Sequence, residues 1–105
     1  MKTLIYGIDH GGKLHRNFAL RVPTIGDNID AVTDAGGGND LAVNVALLAR
    51  CLVTLGEIPQ EVITFDWLRS NLVDDDYDVM WAELAEVKKK RREQKNDCSP
   101  SAVSS

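Results

Sequence analysis

The chain is poor in the residues that staple or metallate small proteins. Its 105 residues include two cysteines, two histidines, three prolines and only 6% aromatic side chains. Cys51 and Cys98 have neither a short pair spacing nor a second cluster that would complete four zinc ligands, which argues against a zinc finger. Cys51 sits in an apolar helical pattern and Cys98 in a polar stretch, so they are read as two separate thiols of a reducing cytoplasm rather than as a disulfide. Long apolar runs are also missing: nothing approaches the ~20 residues that a bilayer-crossing helix needs. The opening MKTLIYGIDHGG is a short apolar run broken by Asp9, without the apolar core or small-residue cleavage site of a signal peptide. Basic residues are in the minority, 12 Lys and Arg against 16 Asp and Glu for a net charge of -4. Such a balance disfavours a protein that grips nucleic acid with its whole surface. A cytoplasmic protein of one small domain is the expectation.

What is present is a hydrophobic fraction of 44% arranged in two periodicities. TLIYGI is short, apolar and β-rich, and LHRNFALRV alternates, with Leu14, Phe18, Leu20 and Val22 on one face and His15, Asn17 and Arg21 on the other. Arg16 interrupts the apolar face. Gly11 and Gly12 between the two runs supply the positive-φ positions of a tight hairpin connection. Helical spacing follows. Thr24 and Asp27 form a capping box ahead of Ile25, Ile29 and Val32, and AGGGND ends that helix. Asn39 or Asp40 caps a second helix, whose stripe Leu41, Val45, Leu48, Leu52, Leu55 runs to Gly56 and Pro59. Thr64 caps a short third helix, with Ile63 placed to staple against Leu68. Asp74 to Asp76 supply a cap and favourable negative charge at the start of a fourth, which carries Tyr77, Met80, Trp81, Leu84 and Val87 and ends in basic residues. The expectation is an α+β domain over residues 1–95: a β-hairpin at 3–22, then about four helices at 25–34, 40–55, 65–72 and 75–94, with 96–105 a disordered tail.

No catalytic set emerges. His10 and His15 with Asp9 lack further ligands to complete a metal shell, and the stretch reads as a solvated hairpin. AGGGNDLA lacks the Lys-Ser/Thr of a phosphate loop and reads as an inter-helix linker. Cys51 reads as a small core residue, and DDDYD as a cap with a solvated face. The protein is therefore expected to be no enzyme and to hold no metal or cofactor. Trp67 and Trp81, with Tyr77, Phe65 and Met80, concentrate in the last two helices; such residues build small cores and also anchor interfaces. KKKRRE is a solvated helix end or a handle for an acidic surface.

The succession of hairpin, FALRVPTIGD, glycine interruption, LAVNVALLARCLVTLGEIP, VITFDWLRSNLVDDDYDVMWAEL and basic end resembles the small tail assembly chaperones of Mu-like and related contractile-tailed phages and prophages. The likeness spans Gly7 to Arg92. It rests most on Leu20-Arg21-Val22-Pro23-Thr24 leading to Asp27, and on Leu55-Gly56 with Ile58-Pro59 ahead of a Thr-capped helix. The resemblance implies a non-catalytic protein of the bacterial host cytoplasm. It would coat the tape measure protein and keep it soluble before the tail tube polymerises, and be absent from the mature virion. The family often makes a longer form by ribosomal frameshifting, which would bring the tail tube protein in as a second partner. We take Lys88 to Lys90 as the hypothetical site of such slippage; the gene sequence decides it, since a run without repeated slippery bases there removes the idea. On physical grounds Trp67, Leu68, Tyr77 and Trp81 are the candidate client-facing anchors, and Lys88, Lys89, Lys90, Arg91 and Arg92 the candidate electrostatic handle.

Two other readings compete. One is a small phage or bacterial DNA-binding regulator, which would bind random duplex DNA strongly at low salt and lose it steeply as salt rises. The other is a structural tail or baseplate subunit, which would stay in purified particles. Self-association through an unprotected hairpin edge is a further expectation to be examined.

Overall fold

The computed structural model describes residues 2–98, with side chains described for residues 2–93. Strand β1 (Lys2–His10) turns through Gly11 and Gly12 into β2 (Lys13–Leu20), followed by α1 (Ile25–Asp34), α2 (Asp40–Cys51), β3 (Leu52–Leu55), a 3₁₀ turn at Gln60–Val62, α3 (Phe65–Asn71) and α4 (Asp74–Cys98). The sheet is antiparallel in the order β1-β2-β3, and the fold is α+β in one domain. No described helix is long and apolar enough to cross a membrane.

The local signals act as the sequence predicts at four points. Gly11 and Gly12 both have positive φ and join the pair His10 and Lys13 in a two-residue connection. At α1 the Thr24 hydroxyl accepts the Asp27 N–H and the Asp27 carboxylate accepts the Thr24 N–H, so the capping box is complete. Asn39 caps α2 by accepting the Ala42 N–H, and Thr64 caps α3 by accepting the Trp67 N–H.

Three expectations are corrected. The helix expected over 40–55 ends at Cys51, and Leu52–Leu55 is a third strand paired with β2. Ala19 and Leu20 face Thr54 and Leu52, so Val53 is an extra residue on β3. That irregularity puts buried Leu52 and Leu55 three positions apart, a spacing that imitates a helix. In β2, His15 points inward and Leu14 outward, the reverse of the expected alternation. The final helix runs from Asp74 to Cys98 rather than over 75–94, and of the tail expected at 96–105, residues 99–105 lie outside those described.

An irregularity of β1 lies beside this part of β2. Between Thr3 and Ile8, β1 advances five residues while β2 advances two, from Asn17 to His15. Backbone groups released from the ladder need other partners. The N–H groups of Ile5, Tyr6 and Gly7 donate to the carboxylate of Asp76 at 2.7, 3.2 and 3.0 Å, and the Arg16 guanidinium donates to the carbonyls of Leu4 and Ile5. Arg16 thus interrupts the apolar alternation because it completes a bulge. Gly7 adopts φ +86°, and a Cβ there would meet Arg16 Cγ at 2.6 Å and the His15 carbonyl at 2.9 Å.

One core joins the sheet and helices. Leu4, Ile8, Phe18 and Leu20 pack with Ala46, Leu47, Leu48 and Cys51 of α2, Leu52 and Leu55 of β3, Leu68 of α3, and Met80 and Leu84 of α4. Each large apolar side chain enclosed this way contributes roughly 1.5–3 kcal/mol.

Candidate functional site

The apolar face of α2 is not wholly covered. On the side where α3 and the start of α4 lie, Leu41, Ala42 and Val45 of α2, Phe65, Leu68 and Leu72 of α3 and Tyr77 of α4 line an open groove of about 300 Å³. The caps of these helices set its shape: Asn39, itself a lining residue, fixes where α2 begins, and Thr64 fixes where α3 begins. Leu41 is half exposed at one end, and Asn39, Arg69 and Asp74 stand among the lining residues. The Arg69 guanidinium lies 6.0 Å from the centre of the Phe65 ring. Tyr77 is oriented from two directions, its hydroxyl accepting from Asn44 Nδ2 at 3.1 Å and its ring stacked on Trp81 at 6.0 Å and 19°. An apolar floor with a few fixed polar groups at its margin suits the apolar face of a helix.

The structure separates the sequence-nominated anchors. Leu68 is fully buried and forms groove floor and core together, so it is not an exposed anchor. Tyr77 is half-buried on the groove wall, with Trp81 stacked behind it. Trp67 lies apart from the groove, its ring edge-on to His10 at 6.2 Å and 82°. Both tryptophans are partly buried against the core. Lys88, Lys89, Lys90, Arg91 and Arg92 are exposed. With a rise of 1.5 Å per residue, Lys88 is roughly 16 Å along α4 from Tyr77, so the basic run and the groove are separate features.

The other nominated chemistry is absorbed by structure. His15 is buried, its Nε2 donating to the His10 carbonyl at 3.0 Å and its Nδ1 accepting the Glu57 N–H at 3.1 Å, which replaces the expected solvated hairpin with a packed polar contact. Gly56 permits it: with φ +56°, a Cβ there would fall 2.5 Å from the His15 Cβ. Burial pushes the Cys51 thiol up, away from the thiolate that a nucleophile requires. Among the described residues no group of three or more His, Cys, Asp or Glu could hold a metal ion. A larger cleft of about 430 Å³ is lined by Arg21, Asp34, Arg50, Gln60 and Asp66 among others, but Arg21 binds Asp27 and Arg50 binds Asp30 and Asp34. Its positive charges are thus matched from within.

Two features run against the sequence reading. Asp76, expected on a solvated face, is fully buried. The stripe Ile25, Ile29 and Val32 of α1, which a helical period marks for the core, is exposed. A helical wheel would have shown Asp27, Asp30 and Asp34 opposite that stripe, the available hint that α1 binds by its acidic side. No family model, no curated protein and no solved structure matches this chain.

Proposed function

We propose that the protein is a non-catalytic chaperone that holds an amphipathic helical client in the groove between α2 and α3. In the specific form implied by its resemblance, it is a tail assembly chaperone keeping the tape measure protein soluble in the bacterial cytoplasm and leaving before the virion matures. The observation that carries this reading is the groove itself, an open channel with an apolar floor between α2, α3 and the start of α4. It accommodates a few client side chains. Each such side chain contributes roughly 1.5–3 kcal/mol on burial, against an association cost of roughly 4–15 kcal/mol. One copy therefore binds weakly, and retention of a long client comes from many copies spaced along it. Weak single contacts also suit a factor that must be stripped off when the tube forms.

Co-expression with the long, helix-rich tape measure protein tests the proposal, followed by pull-down and size-exclusion chromatography with light scattering. The expected result is a soluble complex holding several copies of this chain, lost on Leu41→Glu at the open end of the groove while the free variant keeps its melting temperature. An insoluble partner with this protein eluting alone overturns the client assignment. Salt-sensitive capture of duplex DNA instead points to the regulator.

A further inference from the structure

Helix α1 is mounted with its apolar side outward. Of its ten residues only Ala31 is buried, whereas Ile25, Ile29 and Val32 are 77%, 61% and 56% exposed. At about 100° per residue these three lie within an arc of roughly 60°. Asp27, Asp30 and Asp34 occupy the other side and meet arginines of neighbouring elements. Arg21 pairs with Asp27 through both guanidinium nitrogens at 2.7 and 3.0 Å. Arg50 pairs with Asp34 at 2.7 and 3.2 Å and with Asp30 at 3.5 Å. Arg21 also donates to the carbonyl of Arg50, which ties the two arginines to one another's segments. A helix turned the other way would bury three large aliphatic side chains, so the observed orientation leaves an apolar surface that no described residue covers.

We propose that this surface is where a second copy of the chain docks, the two α1 helices lying antiparallel with Ile29 near the two-fold axis and Ile25 of each copy against Val32 of the other. Three observations favour a second copy as the occupant. The first is charge: the protein is acidic overall, yet Gly26, Asn28 and Thr33 beside the stripe are uncharged and the three acids of α1 are turned to arginines of their own chain. Two copies therefore meet here without opposing like charges. The second is symmetry. Spacings of four and three residues on either side of Ile29 make the stripe nearly self-complementary, as an isologous contact requires, and antiparallel packing opposes the helix dipoles favourably. The third is the closure of the strand edges. The bulged stretch of β1 is bound by Asp76 and Arg16, and on β3 the Gln60 amide donates to the carbonyls of Leu52 and Val53 at 2.6 and 2.9 Å. These bonds leave less of either sheet edge free for a second copy, and the helix face takes its place.

Three aliphatic side chains per copy form a small contact, below the ~1,200 Å² of a standard interface, so the pair should dissociate with a Kd on the order of 10–100 µM. The inference stands apart from the client reading, because no client is needed to observe it. Sedimentation velocity of the full chain across that concentration range should show the mass rise from monomer to dimer. Ile29→Glu should remain monomeric with unchanged circular dichroism and melting temperature. In a Cys98→Ser background, Ile29→Cys should cross-link under mild oxidation, since residues facing across a two-fold helix pair come within disulfide reach, while Val53→Cys, also exposed, should not. A wild type that stays monomeric throughout, a dimer that survives Ile29→Glu, or equal cross-linking at Val53→Cys overturns the proposal. Loss of client capture by Ile29→Glu with a monomeric wild type assigns the face to the client and overturns it equally.

Discussion

Helices α1 and α4 both attach themselves through aspartates, and they do it in opposite ways. Asp76 of α4 is fully buried and its partners are backbone N–H groups of the β1 bulge; among the described residues no cation lies within ion-pair distance of it. Asp30 and Asp34 of α1 keep access to water, Asp27 is more enclosed, and all three bind arginine side chains that are themselves exposed. The same residue type therefore makes an enclosed anchor in one place and an adjustable one in the other. An enclosed carboxylate whose removal orphans several donors is costly to lose, whereas exposed ion pairs are worth little each. The contrast predicts a rigid join between α4 and the sheet and a looser one between α1 and the body.

The largest effect is expected at the enclosed anchor. Asp76→Ala should lower stability by about 3 kcal/mol, because the buried Gly7 N–H and the partly buried N–H groups of Ile5 and Tyr6 lose their acceptor together, and an unsatisfied buried donor costs about 1–3 kcal/mol. Asp76→Asn, which keeps one acceptor oxygen, should recover part of the loss. Urea denaturation measures both, and a loss no greater than that of Arg50→Ala would break the comparison.

Two glycines of positive φ extend the contrast between enclosed and open positions. Gly56→Ala should cost about 3 kcal/mol, since its Cβ would press into the His15 ring as well as strain the backbone. Gly11 has open space around it, so Gly11→Ala should cost only the conformational term of about 1 kcal/mol. Equal losses in thermal unfolding would mean that the His15 contact yields freely.

At the adjustable anchor, Arg50→Ala should cost about 1 kcal/mol globally. It should nonetheless raise amide hydrogen exchange throughout α1 while leaving α4 protected, because Asp30 and Asp34 lose their partner. Acid gives the smallest effect. The Arg21 guanidinium, with the Thr24 N–H, holds the Asp27 carboxyl well below the usual carboxylate range. Its folded value is therefore lower than that of the unfolded chain, near 4. The contribution is complete above that pH and is lost as the pH falls below it. Exchange in α1 should rise on acidification before exchange in the core does, and Arg21→Gln should weaken that pH dependence while the Thr24 bonds keep part of it.

The caps and turns were legible because their chemistry is local. Thr24 with Asp27, Asn39 and Thr64 each satisfy N–H groups a few residues away, and Gly11 and Gly12 need only their own φ freedom. The third strand was not legible: a single extra residue, Val53, gave Leu52 and Leu55 a helical spacing, and only pairing with Ala19 and Leu20 separates the two interpretations. Asp76 was hidden for a related reason. In the run Asp74 to Asp76 all three acids look alike, and the one that enters the core is selected by the β1 bulge some 70 positions earlier in the chain. For the candidate site, Tyr77 and Leu68 were identifiable as large apolar residues of the last helices, while the sequence carried no sign that Trp67 turns toward His10 and away from the groove.

From its sequence alone this protein was bound to form a glycine-turned hairpin, capped helices and an α+β domain, because those features arise from contacts among near neighbours and from periodic burial. Tertiary structure alone decided which aspartate is enclosed, that Leu52–Leu55 leaves the helix for the sheet, and that α1 shows its apolar side outward. Periodicity defines the two faces of a segment, but the face that turns inward is set by what it meets, and the acidic side of α1 meets Arg21 and Arg50.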